Sequence, residues 1–435
     1  MKNITRRRFV TVTASTAAGL ALARTPASAS GRGAATIRVG LIGCGGRGTD
    51  AAKNCLTSSD GVELVAMGDL FPDHLATCRE RLARMATEDT SLKAKIKVDD
   101  RHAFTGFDAY QKVLESKIDL VLLATPPAFR ARHLAAAIEA GKHVFMEKPV
   151  AVDSTGIRAV MASADLAAQK GLAIVAGTQR RHDAGYRAAI QRIHDGAIGD
   201  LVGGQVYWNM GGLWMHPREP AWSDVEWQIR NWLYFTWLSG DHIVEQHVHN
   251  IDVANWVFGA HPVKAVGVGG RQSRTDPAYG HIFDHFAVEF EYPVGGGTVR
   301  VQSMCRQMKG CASRVAERFV GTRGTSDAHA VIEGAAPWSW DRQTPKTDPY
   351  VQEHADLIAS IRAGQPLNEG RQVAESTLTA IMGREAAYTG QEITWDAILN
   401  APQDLVPSDV QFGSMPVAPV AIPGQTAVAR SWRSV

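Results

Sequence analysis

Ile37-Arg38-Val39-Gly40-Leu41-Ile42-Gly43-Cys44-Gly45-Gly46-Arg47-Gly48 is the stretch on which the fold turns. Residues 37–42 read as a short buried strand, and the chain runs directly into GxGxxG before a helical pattern over 51–56. The first glycine permits a tight turn and the second lets a pyrophosphate reach the backbone. The third lets helix and strand pack closely while the helix N-terminus faces the phosphates. A second strand, over 62–67, leads to Asp69, placed where a carboxylate accepts hydrogen bonds from adenosine ribose hydroxyls and repels a 2′-phosphate. This favours NAD and leaves NADP open, since a nearby arginine would offset the acid. The plainer alternative for Asp69 is a strand-end turn former.

Three further parallel strands follow. Residues 119–124 are a near-continuous apolar run, as in a strand covered on both faces, and end in Thr125-Pro126-Pro127. A helix over 130–140, closed by Gly141, leads to a strand over 143–146 and then Glu147-Lys148-Pro149. Lys148 is therefore expected at the carboxyl end of a strand, where open α/β sheets bind ligands. After a helix over 157–168, a strand over 172–177 ends in the polar cluster Thr178-Gln179-Arg180-Arg181-His182 at the same edge.

Beyond that point the pattern changes. Strand-like segments at 202–209, 265–269, 286–292 and 299–305 come with hairpin turns, notably Pro293-Val294-Gly295-Gly296-Gly297. The expected fold is α/β, with an N-terminal Rossmann doubly wound parallel sheet over 36–177. An α+β domain with a large, mostly antiparallel open sheet follows over 178–400. Residues 351–363 and 371–389 read as amphipathic helices packing back on the domains, and the proline-rich residues 401–435 as an extended arm. The exposed sheet face favours a homo-oligomer.

The chain has 435 residues, 45% of them hydrophobic, and a formal charge of only +2. Cations are spread among nearly as many acids, so there is no basic face to follow a phosphate backbone, and a small-molecule substrate is expected rather than nucleic acid. Thr5-Arg6-Arg7-Arg8-Phe9 precedes an uncharged run to Ala23, too short and weakly apolar for a stable membrane span, and Ala27-Ser28-Ala29 supplies small residues for a signal peptidase. Residues 1–30 resemble a twin-arginine signal, implying export in the folded state to the periplasm or beyond; an uncut lipid-facing anchor is the alternative. Five cysteines without close pairing form no metal or redox motif; Cys305 and Cys311 are read as free small hydrophobes before a disulfide.

The glycine turn, Asp69, Thr125-Pro126 and Ala140-Gly141-Lys142-His143-Val144 leading to Glu147-Lys148-Pro149 resemble the glucose-fructose oxidoreductase / inositol dehydrogenase (Gfo/Idh/MocA) family over nearly the whole mature chain. In that family the lysine of the EKP motif contacts the nicotinamide ribose and the substrate hydroxyl, so the resemblance gives that role to Lys148. Pairing with Glu147 or a helix end is the structural alternative. Candidate cofactor contacts are Gly43, Gly45, Gly46, Arg47, Gly48, Asp69, Thr125, Pro126, Glu147, Lys148 and Gln179.

Residues 240–252 read as the opening of a helix, on which Glu245, His249 and Asp252 share one face. An acid and an imidazole four apart can shuttle a proton. Family members carry an Asp-x-x-x-His pair here; His249 matches, with Asp252 three residues on. Glu245 stands where aspartate is usual and His247 where glycine is common, which changes the acid's reach but not its chemistry. His242, His247, His249 and the nearby acids also admit a Zn or Mn site, but the spacing lacks a familiar ligand pattern, so no metal is expected. Capping and core roles suit Asp241 and His242.

Candidate substrate contacts are Arg181, His182, Asp252 and Trp237. Trp237 belongs to an aromatic run in which sugar stacking and core packing are equally supported. Asp284 and His285 are further pocket candidates. The reading is a hydride-transfer enzyme acting on a sugar, glycoside or polyol, with His249 or Lys148 taking the hydroxyl proton and Glu245 orienting or relaying. Scarce free NAD outside the cytoplasm favours a tightly held cofactor. The alternative is a redox-neutral NAD-dependent glycosidase working by transient oxidation and elimination, though family glycosidases commonly replace the lysine retained here. A cofactor-bound sensing protein is the non-enzymatic alternative.

Overall fold

Strand β1 (Ile37–Ile42) is buried at five of its six positions because it lies inside a sheet covered on both faces. With β2 (Val62–Asp69), β3 (Ala103–Thr105), β4 (Leu120–Leu123), β5 (His143–Met146) and β6 (Ile174–Ala176) it forms a six-stranded sheet in the order β3-β2-β1-β4-β5-β6. Every pairing is parallel. Strand order reverses between β1 and β4, which opens a crevice at the carboxyl ends. In this computed structural model residues 35–341 and 347–431 are described, so the arginine motif and small-residue cleavage site lie outside the described residues.

Sequence patterning missed several elements of this half, β3 and the helix Pro72–Glu88 among them. β3 is only three half-exposed residues long. The helix Pro72–Glu88 buries just four positions, and its high charge hides that narrow stripe.

The second half adds β7 (Leu201–Met210), β8 (Lys264–Gly270), β9 (His285–Val294), β10 (Gly297–Gln307), β11 (Arg314–Gly321), β12 (Gly324–Ser326), β13 (Val331–Gly334), β14 (Trp338–Ser339) and β15 (Ile393–Thr394). Their order is β14-β13-β12-β11-β7-β10-β9-β8-β15. Only β7 and β10 pair in parallel among these strands, so the sheet is mostly antiparallel as expected. Val301, Ser303, Cys305 and Gln307 of β10 point inward while Arg300, Gln302 and Met304 face out, the period-2 pattern of a half-buried sheet. Gly295 and Gly296, at φ 54° and 91°, make the tight turn from β9 into β10, a conformation other residues resist.

The helix Gly370–Thr389 differs from its amphipathic expectation: residues 376–389 are all buried. It runs between the inner sheet face and the helix Ser154–Lys170, so beyond its first turn it has no wet side. Arg384 lies in its middle with no exposed surface. Its guanidinium donates to the carbonyls of Val152 (2.8 Å) and Gly240 (3.1 Å), to Glu385 Oε1 (2.9 Å) and to Gln403 Oε1 (3.1 Å). One cation thus ties the exit from β5, the entry to the 241–245 segment and the start of the arm. Arg430, further along the arm, pairs with both oxygens of Glu385 at 2.7 and 2.8 Å. All five cysteines are free, Cys305 buried and Cys311 exposed.

Arg384→Met keeps the volume but leaves Glu385 and two carbonyls short of a partner; stability should fall by about 3–5 kcal/mol. A urea unfolding curve with a lower midpoint and unchanged slope checks this.

Candidate active site

The glycine turn shows what each glycine is for. A Cβ on Gly43, whose φ is 97°, would meet the Ala124 carbonyl carbon at 2.6 Å, and one on Gly48 would meet the Gly43 oxygen at 1.8 Å. Those two are required by packing. A Cβ on Gly45 would meet nothing within 4 Å, since that position faces open space at the start of the helix Gly46–Ser58. No acid lies in that helix's first turn and no side chain caps it, so its free amides and positive dipole end are available to an anion. A cavity of about 580 Å³ opens there, lined by the turn, Asp69, Phe71, Phe107, Thr125, Pro126 and Trp214 among others. Open glycine and uncapped amides fit a dinucleotide, with the pyrophosphate against Gly45 and Gly46.

Asp69 ends β2 with its carboxylate accepting from the Cys44 amide at 2.6 Å and the Phe71 amide at 2.8 Å. The acid therefore shapes the glycine turn and the strand exit, the turn-forming alternative, while lining the cavity where a ribose contact was expected. Arg47 reaches across to Glu147 Oε1 at 2.5 Å and to Glu353 Oε1 at 3.3 Å, with Tyr350 beneath its guanidinium at 4.8 Å. Burial and the nearby Glu147 raise the Glu353 carboxyl well above the usual range. Gly177 leaves room for Glu147, since a Cβ there would meet Glu147 Oε2 at 2.5 Å. Fully buried Arg130 donates to the carbonyls of Pro149 and Thr125, joining the loops after β4 and β5. Gln179 Nε2 donates to the Tyr350 hydroxyl at 3.0 Å, and its buried Oε1 has no protein partner.

Lys148 follows β5 in a cis peptide to Pro149. Its Nζ donates to the Glu245 carbonyl at 2.7 Å, to Glu245 Oε1 at 3.2 Å and to Gln246 Oε1 at 3.4 Å. Glu147 pairs with Arg47 instead, so the alternative partner for Lys148 is taken. The 240–252 segment is not the continuous helix its spacing suggested. A short helix, His242–Glu245, stops at Gln246, and a second, Val248–Phe258, begins after His247. His247 N bonds back to His242 O at 3.2 Å, five residues away, a local widening that aims the Glu245 carbonyl and side chain at Lys148. Asp241, at φ 74°, starts the segment; its carboxylate accepts from the His242 and Phe283 amides and the Tyr388 hydroxyl. Burial pushes the Asp241 carboxyl up to about 6.

His249 is the second residue of the helix that begins after the break, stacked on Trp208 with centroids 5.7 Å apart. Burial, and then the positive charges of Lys148, Arg180 and Arg47, hold its imidazole well below the usual histidine range. It is neutral at pH 7 and able to accept a proton. His247 donates to or accepts from Ser303 Oγ at 2.8 Å, and burial lowers it to about 3. Among the described residues no group of three or more His, Cys, Asp and Glu is arranged to hold a metal.

The structure gathers Lys148, Glu245 and His249, but it holds the four residues expected on the substrate in other contacts. Arg181 and Asp252 form a two-point ion pair at 2.8 and 2.9 Å, completed by Ser376. His182 lies between Asp356 at 2.6 Å and Glu369 at 3.2 Å. Trp237 donates its indole N–H to Gln228 at 2.7 Å and lines a separate cavity of about 730 Å³ under the arm. Asp284 is fully buried, accepting from the amides of Gln272, Ser273 and Arg274 and pairing with His285.

Comparison with known proteins agrees with this geometry. Residues 37–178 match the family described as "Oxidoreductase family, NAD-binding Rossmann fold", and residues 186–326 match the "GFO/IDH/MocA C-terminal domain". The chain belongs to the Gfo/Idh/MocA family. Inositol 2-dehydrogenase 3 of Saccharopolyspora erythraea is 29% identical over 370 residues, spanning 82% of this chain and 95% of that one. Scyllo-inositol dehydrogenase of Lactobacillus casei, solved with NAD(H) and scyllo-inositol, superposes with a TM-score of 0.60 at 20% identity, covering 82% of this chain and 99% of its own. Aldose-aldose oxidoreductase of Caulobacter crescentus, solved with glycerol, gives 0.62 at 17% identity, covering 82% and 99%.

As a Gfo/Idh/MocA protein the chain is an NAD-dependent oxidoreductase, and several residues at its site carry no local sequence signal. Arg180 spans the rings of Tyr186 (5.6 Å) and Trp208 (5.7 Å) while pairing with Glu317 of β11. Only its place beside Gln179 and Arg181 pointed towards it. Glu353 and Tyr350 come from a helix more than 170 residues downstream of β6, and no spacing rule links them to the glycine turn.

Gly45→Val should fold normally, because the added atoms enter open space, yet weaken NAD binding about tenfold or more by filling the pyrophosphate's approach. Fluorescence titration with NADH beside a melting curve checks both halves. Because burial, and then the nearby cations, hold His249 neutral, the acid limb of the kcat/KM profile should lie below the ordinary histidine pKa of about 6.5. A limb at or above that value would remove His249 from the role of base.

Proposed function

We propose that the protein is an exported oxidoreductase that takes hydride from a hydroxyl-bearing carbon of a sugar, glycoside or polyol onto a tightly held nicotinamide dinucleotide. The single observation that carries the reading is the meeting of Lys148 and Glu245, with neutral His249 four residues on, at the carboxyl edge of β5, the same sheet edge at which the glycine turn opens its cavity. The related inositol dehydrogenases support a polyol or sugar as substrate.

The bound dinucleotide would supply the hydride acceptor at the carbon being oxidised. His249, uncharged and backed by Trp208, takes the hydroxyl proton. Lys148 donates to the substrate oxygen as negative charge develops on it, by exchanging its longest contact, Gln246 at 3.4 Å, for that oxygen. Glu245 holds the ammonium through both its carbonyl and its carboxylate, so the donor stays aimed while one bond is traded. Glu147, occupied by Arg47, fixes the strand end that carries Lys148 and the turn that would hold the pyrophosphate.

Export rests on Thr5-Arg6-Arg7-Arg8-Phe9, which favours a protein that leaves the cytoplasm folded and with its cofactor aboard. A homo-oligomer is supported by the outer sheet face. Val268, Ala287, Met304, Tyr207 and Ala316 are register partners across five adjacent strands, β8, β9, β10, β7 and β11, making one apolar row in which Val268 is 70% and Met304 43% exposed.

Lys148→Ala should lower turnover by about 10²–10⁴-fold while leaving fold and bound nucleotide in place; full activity in that variant would refute the mechanism. The substrate class is tested by identifying the nucleotide that co-purifies and screening sugars, inositols and aryl glycosides. Reduced-nicotinamide absorbance without aglycone release is the expected result, and aglycone release without net reduction would replace oxidation with cleavage.

A further inference from the structure

The dinucleotide cavity has one wall that neither the glycine turn nor the catalytic group explains. Phe71, two residues beyond Asp69, and Phe107, two beyond β3, both line it at the adenosine end. Behind them stands a residue from the arm. Phe412 stacks on Phe71 with centroids 6.1 Å apart and planes 25° from parallel, and tilts against Phe107 at 5.0 Å. Arg230 covers Phe71 at 3.9 Å and is itself pinned to Asp73 at 3.0 Å.

The arm segment around Phe412 is fastened at both sides of the cavity. On the parallel-sheet side, Arg132 of the helix Pro127–Glu139 donates to the carbonyls of Ser408 (2.6 Å) and Pro407 (3.4 Å). On the other side lies the helix Asp224–Arg230. The Val225 amide donates to the Gly413 carbonyl at 3.2 Å, Asp224 accepts from Ser414 Oγ and the Met415 amide at 3.1 Å each, and Gln228 donates to the Met415 carbonyl at 2.9 Å. A loop held only by backbone solvation would not need two anchors. Phe412 nevertheless remains 48% exposed, so burying its own ring is not the purpose of the arrangement.

We propose that residues 407–415 are a clasp that retains the cofactor from its adenine end, with Phe412 as the positioning residue that holds Phe71 and Phe107 in place as the adenine wall. The dinucleotide cannot leave by that end without either moving both rings or releasing a segment tied to both halves of the chain. The inference needs only that the chain binds NAD and is independent of which sugar it oxidises. It also gives the tightly held cofactor a physical cause in an otherwise unassigned part of the sequence.

The test uses the purified full-length protein loaded with NADH, and follows release by fluorescence after mixing with excess NAD. Phe412→Ala and, independently, Arg132→Ala should each speed release about tenfold, because one removes the buttress and the other an anchor; Phe412→Tyr should restore slow release. Equilibrium titrations provide the readout that a merely structural role would not move. ADP-ribose affinity should weaken in parallel with NADH, whereas nicotinamide mononucleotide, which has no adenine, should bind all variants alike. Release within twofold of the parent in both alanine variants, at unchanged melting temperature, would overturn the clasp. So would equal weakening of both probes, which would assign the effect to general loosening.

Discussion

The site depends on one bridge: the Lys148 ammonium on the Glu245 carbonyl, 2.7 Å apart across 97 residues of sequence. A carbonyl inside a regular helix is already committed to its own ladder. Breaking the helix at Gln246 and His247 turns Glu245 towards Lys148 and leaves His249, four residues on, against Trp208. The lysine and its acid come from separate halves of the chain, so their geometry is a property of how those halves meet. A longer acid than aspartate suits this arrangement, because backbone and carboxylate of the same residue both reach the ammonium.

Charge follows the same logic. Four cationic side chains, Arg47, Lys148, Arg130 and Arg180, surround the strand ends, and each has a committed partner: Glu147, Glu245, backbone carbonyls, and Glu317 in turn. Burial first, and then the charges of Lys148, Arg180 and Arg47, hold His249 below the usual histidine range. A histidine in such surroundings stays neutral through the physiological range, unlike the usual solvent-exposed imidazole. In the proposed mechanism the same cations would favour an anionic oxygen forming nearby, so the surroundings that keep His249 uncharged would also stabilise what deprotonation produces.

How much of this could be read from sequence depended on whether the signal was local. The glycine turn, Asp69 and the lysine after β5 were legible because each role is imposed by residues within one strand–turn–helix unit. Five of the six strands of the parallel sheet followed from apolar runs such as residues 120–123, buried on both faces. The helix break was not legible, since Glu245 and His249 satisfy helical spacing whether or not the ladder is continuous. Arg181, His182 and Asp252 look like exposed binding groups in sequence, and only tertiary partners such as Ser376 and Glu369 show them engaged inside the protein. Trp237 shows the same limit from the apolar side: a dense aromatic run does not say which of two cavities a ring faces. The helix Gly370–Thr389 failed its expected amphipathic pattern because Arg384 and Glu385, polar by composition, neutralise each other at zero exposure.

Arg384 also sets an order of events as the chain is made. The Val152 carbonyl it binds precedes it by 232 residues, and the Gly240 carbonyl by 144. The carboxylate beside it gains its second cation only 45 residues later, with Arg430. A nascent chain that has completed the parallel sheet therefore cannot yet fix the exit from β5, and its buried acid must wait for the arm. Contacts of such long span slow folding and prolong the exposure of unfinished core. This is a chain for which closure belongs after synthesis of the arm, not during emergence of the first domain, and truncation before residue 430 would remove the last counter-charge.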